Sequence, residues 1–198
     1  MLLAIADTNY KFIYIDVCAF GKDSDSSIFE RTDFYKKLEN NELNIPKGQP
    51  LPGTVGPNMP YTFIGDEVFS LSRNVMRPYS GKVLSHKKKK IFHYRLSRAR
   101  RNVESTFGIL SNKWRIFQKA INVNLDFAII LIKTCCAFHN FVRSRDGFNI
   151  QDALSVQGFI EMGKDTSRAS LQSTQARNKL ADYFISDVGS VPWQTNYS

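Results

Sequence analysis

Between residues 73 and 119 the chain carries fourteen lysines and arginines and a single acid, Glu104. Two other carboxylates invite comparison with it. Asp66 follows the apolar stretch Tyr61-Thr62-Phe63-Ile64-Gly65, and Asp25 lies in a polar loop. Three carboxylates that converge supply hard oxygen donors of the kind Mg²⁺ and Mn²⁺ prefer. Two such ions about 4 Å apart activate a water and stabilise the leaving oxygen in phosphodiester cleavage. Spacing alone does not gather these acids. On composition alone the better reading of Glu104 is a helix ion pair with Arg100 at i−4 or Arg101 at i−3, worth a few tenths of a kcal/mol.

The basic segment is the second candidate. Its densest part is Lys87-Lys88-Lys89-Lys90, followed by Arg95, Arg98, Arg100 and Arg101. Such a cluster attracts phosphates and gains from counterion release. Phe92, Tyr94, Phe107, Trp114 and Phe117 are interleaved, so the segment can also fold and pack. Lys87 to Lys90 alone also suits a solvated loop or a nuclear localisation segment. The whole segment points to nucleic-acid contact. It also carries the net charge: residues 1–72 sum to −4, residues 73–119 to +13 and residues 120–198 to zero, giving +9.

Whatever positions these groups has room for a core. The chain has 198 residues, 42% hydrophobic and 23% charged, which argues against a disordered or fibrous protein. No uninterrupted apolar run reaches the ~18 residues of a membrane span, and no membrane association is expected. Leu125 to Val142 comes nearest and is broken by Asp126, Lys133, His139 and Asn140. Cys18, Cys135 and Cys136 make no disulfide framework, so reduced thiols and an intracellular protein are expected.

The pattern predicts strands over Leu2 to Ala6 and Phe12 to Val17, joined by a turn at Asp7-Thr8-Asn9-Tyr10. A helix is expected from Ser26 to about Asn40. Five prolines and three glycines make residues 43–60 a loop. Tyr61 to Gly65 reads as a buried strand with Asp66 at its carboxyl end, where sites collect in open α/β sheets. Leu96, Val103, Phe107, Leu110 and Trp114 share one face of a helix within residues 85–119. Leu125 to Arg143 reads as a buried helix. Residues 146–175 are mixed and polar, and a short helix spans Ala176 to Phe184. His139 reads as a packed, hydrogen-bonded histidine, Cys135 and Cys136 as buried small hydrophobes. His86 and His93 flank the basic run and are expected to face solvent or phosphate.

Several stretches together resemble the PIF/Harbinger DDE superfamily of transposase-derived endonucleases. They are Asp7 to Val17, Gly21 to Phe29, Leu51-Pro52-Gly53, Tyr61 to Phe69 and Met76 to Tyr79. The strongest is Tyr94-Arg95-Leu96-Ser97-Arg98-Ala99-Arg100-Arg101-Asn102-Val103-Glu104, with Phe107 to Leu110, Trp114-Arg115 and Cys136 to Phe141 after it. Ala176 to Tyr183 and Val191 to Gln194 are similar to the tails of these proteins. The resemblance implies divalent-metal-dependent phosphodiester hydrolysis and strand transfer, with Mg²⁺ or Mn²⁺ as cofactor. It places the metal-binding acids on Asp25, Asp66 and Glu104, of which Asp66 and Glu104 are the catalytic pair, with 37 residues between them. Lys87, Lys88, Lys89, Lys90, Arg95, Arg98, Arg100 and Arg101 would contact DNA.

The implied fold is α/β, a ribonuclease-H-like mixed sheet flanked by helices. Residues 1–145 would form the endonuclease domain, 146–175 a polar linker and 176–198 a tail with a short helix. Nothing in residues 1–20 matches the family's first catalytic Asp, which lies on the strand before the opening hairpin. The family's helical DNA-binding region is not matched either. The expectation is therefore a sheet lacking its first, central strand, a marginal folder and impaired cleavage. The resemblance further implies a nuclear protein and a separate DNA-binding partner. The competing expectation is a non-catalytic DNA-binding or protein-interaction remnant of a domesticated transposase, or a relic without a stable fold.

Overall fold

The opening residues alternate as strands do, and a computed structural model pairs them. It describes residues 2–17, 24–79, 86–147 and 170–197. Strands β1 (Leu2–Ala6) and β2 (Phe12–Val17) form an antiparallel hairpin, with Leu2 opposite Val17 and Ile5 opposite Tyr14. Asp7 makes the turn: its Oδ1 accepts from the backbone N–H groups of Asn9 and Lys11 at 2.8 and 2.9 Å. Tyr10 closes it at φ 59°, a left-handed conformation that non-glycine residues hold only when their surroundings fix it.

The chain divides into two units, Met1–Thr32 with Arg101–Glu161, and Asp33–Arg100 with Met162–Ser198. In the first, α1 (Asp25–Arg31) is capped by Ser24, whose Oγ accepts from the Ser27 N–H. The unit is built on the hairpin, the second half of α3 (Lys87–Lys113) and α4 (Leu125–Asp146). Its core joins Phe12, Leu110, Cys135 and Cys136, with Phe107, Trp114 and Ile132 packed on it. Residue Asn124 caps α4 by accepting from Phe127 N–H at 2.8 Å. The face of α4 turned to β2 carries polar groups to exposed backbone: His139 Nε2 is 2.7 Å from the Tyr10 carbonyl oxygen, and Arg143 donates to the Asn9 carbonyl at 3.3 Å. His139 and the two cysteines are buried, as expected. Burial alone pushes the Cys135 thiol up; in Cys136 burial, aided by Cys135, takes it to about 11.

The expectation of a buried α4 is corrected. Only Cys135, Cys136, His139 and Arg143 are fully inside, while Phe127, Ile130, Phe138 and Phe141 stand about half exposed on another face. A mean hydropathy of 1.5 over 18 residues also makes α4 long and apolar enough to cross a membrane by length and composition, which the reading of interrupted runs had excluded. The polar interruptions are spent on the hairpin backbone.

The second unit holds α2 (Asp33–Glu39), β3 (Phe63–Ile64), β4 (Val75–Met76), the first half of α3 and α5 (Leu171–Ile185). Its core is Leu71, Met76, Tyr79, Phe92, Leu96 and Ala181, with Leu180 and Phe184 against it. The single helix expected over 26–40 is two, because buried Thr32 takes ψ 151° and its Oγ1 donates to the Phe29 carbonyl at 2.7 Å. The strand expected over Tyr61 to Gly65 shrinks to two residues, and Ile64 is exposed. Residues 43–60 are loop, as expected, tied by one antiparallel bridge between Gln49 and Met59. Gly48 belongs to that tie: a Cβ there would lie 2.6 Å from the Met59 carbonyl oxygen.

The architecture is mixed α/β. Among the described residues the strands form two separate two-stranded sheets, β1-β2 antiparallel and β3-β4 parallel, in place of one mixed sheet. Helix α5 begins at Leu171, inside the expected linker, because Ser170 caps it by accepting from the Ser173 N–H at 3.1 Å. Phe184 and Ala181 make it part of a core, so residues after 170 are more than a tail. Cys18 and most of the expected linker lie outside the described residues.

Candidate functional site

Each expected acid is held by a different element. The two-residue strand β3 lines up with β4 through Phe63 N–H to Asn74 O and Gly65 N–H to Met76 O, at 2.8 and 2.9 Å. Asp66 follows at its carboxyl end, half-buried, and its Oδ1 accepts from the Val68 N–H at 3.0 Å. Buried Arg77 braces the same loop by donating to the Glu67 carbonyl at 2.9 Å. Gly65 lets Phe69 fold back: a Cβ there would meet the Phe69 ring at 2.9 Å.

Glu104 lies within α3, half-buried, with its Oε1 screened from solvent. Asp25 is exposed in the first turn of α1, where the helix dipole favours a negative charge. Asp25 and Glu104 belong to the first unit and Asp66 to the second. By chemistry this donor set suits a hard divalent cation. By position it is incomplete: among the described residues no group of three or more His, Cys, Asp or Glu stands ready to hold a metal ion.

The basic helix is sorted by its neighbours. Lys88 forms an ion pair with Asp182 of α5, and the Lys89 ammonium lies 5.4 Å from the centre of the Tyr79 ring. Arg95 is the most committed. It donates to the Gly189 carbonyl at 3.3 Å and to Gln194 Oε1 at 3.0 Å, and lies 4.3 Å over the Phe184 ring. Burial lowers its pKa, but from a value so high that the guanidinium stays charged. These three bases hold the second unit together. Lys87, Lys90, Arg98 and Arg101 remain exposed, while Arg100 is half-buried and engaged.

The four exposed bases form a line. With half-buried Tyr94 they run Lys87, Lys90, Tyr94, Arg98, Arg101, at spacings of three, four, four and three, which is one helix face. Fourteen residues of helix span about 21 Å, comparable with about six phosphates along one DNA strand. The spacing was visible in the sequence, although all eight bases read alike there. Gln194 and Trp193 were missed as partners of this helix, since nothing local ties residues 193 and 194 to Arg95 and Arg98. His93 faces neither solvent nor phosphate alone: its Nδ1 is 3.4 Å from Ser97 Oγ on the next turn.

A family model of the DDE superfamily endonuclease matches residues 1–140. No curated protein and no solved structure matches the chain at a significant level. Endonucleases of that family generally use divalent metals. The matched span contains Asp25, Asp66, Glu104 and the whole basic helix.

Proposed function

The chain belongs to the DDE superfamily endonucleases, and from that premise we propose that it is the nuclease domain of a PIF/Harbinger-type, transposase-derived protein. Its reaction is hydrolysis and transfer of DNA phosphodiester bonds. The family match carries this reading. The placement of Asp66 at a strand end and Glu104 within a long helix supports it.

Asp66 and Glu104 would hold Mg²⁺ or Mn²⁺, with Asp25 assisting. Bound there, the metal supplies an activated water and neutralises the leaving oxygen. The chain's own cations hold the substrate. Lys87, Lys90, Arg98 and Arg101 line up on the phosphates, which fixes the strand without reading its bases. Lys88, Lys89 and Arg95 support that face from behind, through Asp182, Tyr79 and Gln194. Base readout is left to a separate DNA-binding partner. The run Lys87 to Lys90 fits residence in the nucleus, where the substrate is.

Cleavage by this chain alone is slow, because no three carboxylates stand together among the described residues. The same observation favours a second reading, a DNA-binding remnant that no longer cuts. Plasmid nicking separates the two. The first reading gives slow nicking that needs Mn²⁺ and is lost in Glu104→Gln, while DNA binding is kept. The second gives salt-sensitive binding indifferent to a chelator, and no nicking.

A further inference from the structure

The inference concerns the exposed end of the basic helix and rests on the DNA-binding reading above. Trp193 lies in the 3-10 turn Pro192–Tyr197 with about half its surface open to solvent. The Arg98 guanidinium stands 5.2 Å from the centre of its ring and is within 3.4 Å of the Tyr94 hydroxyl, to which it donates. Tyr94, Arg98 and Trp193 therefore form a run of ring, guanidinium and ring on the face that also carries Lys87 and Lys90.

The turn that presents Trp193 is pinned. Its neighbour Gln194 is buried, donates from Nε2 to the Phe184 carbonyl at 2.7 Å and accepts from Arg95 at 3.0 Å. The Gln194 N–H also bonds the Val191 carbonyl at 3.1 Å. An exposed tryptophan on a loose tail loses entropy when it binds. One held by three such bonds has already lost it.

A duplex hides the faces of its bases, so a flat aromatic beside phosphate-binding cations has little to offer it. An unpaired strand has a free face on every base, and stacking on an aromatic or an arginine plane is worth 1–3 kcal/mol per base. We propose that Tyr94, Arg98 and Trp193 form a stacking platform for unpaired nucleobases, which lets this face hold single-stranded DNA while Lys87 and Lys90 hold its phosphates. The preference is for strand form and not for sequence, because every base has a face to stack.

The test compares two fluorescein-labelled probes, an oligothymidylate strand of about 20 nucleotides and a mixed-sequence duplex of similar length. Affinity is read by anisotropy for the full chain, Trp193→Ala, Trp193→Phe and Lys90→Ala, with circular dichroism to confirm the fold. Trp193→Ala is expected to weaken single-strand binding at least about fivefold and leave duplex binding unchanged. Trp193→Phe keeps a ring and recovers most of the affinity. Lys90→Ala weakens both probes together. If Trp193→Ala changes both probes equally, or neither, the platform is wrong while the DNA-binding reading stands. If the unaltered chain binds neither probe, both are wrong.

Discussion

Asn140 completes the backbone of Phe12 as a neighbouring strand would: its Oδ1 accepts from the Phe12 N–H and its Nδ2 donates to the Phe12 carbonyl, both at 2.8 Å. One side chain of α4 thus satisfies both main-chain groups of the residue that starts β2. Phe12 is in turn buried against Leu110, Phe107 and Cys136. Asn140→Ala removes both bonds and leaves two partly buried backbone groups unsatisfied, a loss of about 2 kcal/mol. Urea denaturation should show a lowered midpoint with an unchanged slope. An unmoved midpoint would sink the idea that α4 clamps the hairpin.

The two buried cysteines give a chemical readout of the same core. A Cys136 thiol with its pKa at about 11 stays protonated at pH 8, so it is a poor nucleophile. In a Cys18→Ser background, a thiol reagent at pH 8 should find no fast-reacting group until urea is added. The sign of the pH effect follows. The folded thiol holds its proton more tightly than the unfolded one, near 9, so the stability from this group is complete below pH 9 and falls between about 9 and 11. Denaturation midpoints that rise over that window would contradict the burial.

The division of labour along α3 predicts two kinds of arginine and lysine variant. Lys87→Ala and Arg101→Ala remove exposed charges, so each should lower the salt slope of DNA binding by about one and leave stability alone. Arg95→Ala breaks the bonds to Gly189 and Gln194 and the stack on Phe184, so its first effect is a lowered denaturation midpoint. Equal effects on binding and stability from all three would show that the helix is not sorted in this way.

Local chemistry was readable and long-range pairing was not. The hairpin was legible to the residue because alternation, an Asx turn and strand length all act within about twenty residues. Asp66 at a strand end was legible because an apolar run stops there. The break at Thr32 was missed because a threonine hydroxyl can bond the helix carbonyl behind it or face solvent, and sequence does not choose. The start of α5 was missed although Ser170 is a good cap, because the polar residues around it masked the pattern. Burial of α4 was over-read: apolar residues on most faces say that a helix has surface to cover, and only its partners decide which face is covered. The exposed stripe on α3 could have been found from its three-and-four spacing. That Arg95 is structural needed Gln194, ninety-nine positions away.

Metal binding can be followed without turnover. Mn²⁺ titrated into the full chain, read by its own magnetic resonance signal, should bind more weakly to Asp66→Asn and to Glu104→Gln than to the unaltered chain, with Asp25→Asn a smaller change. Equal binding to all four would remove Asp66 and Glu104 from the metal site and leave the basic helix as the chain's remaining candidate.

The most direct measurement is nicking of supercoiled plasmid by the purified chain with Mn²⁺, with chelator, and with Glu104→Gln in place of the unaltered protein. The nuclease reading predicts slow nicking that requires Mn²⁺ and disappears in Glu104→Gln, while that variant still binds the plasmid. Nicking that persists in Glu104→Gln or in chelator, or no nicking by the unaltered chain, would contradict it.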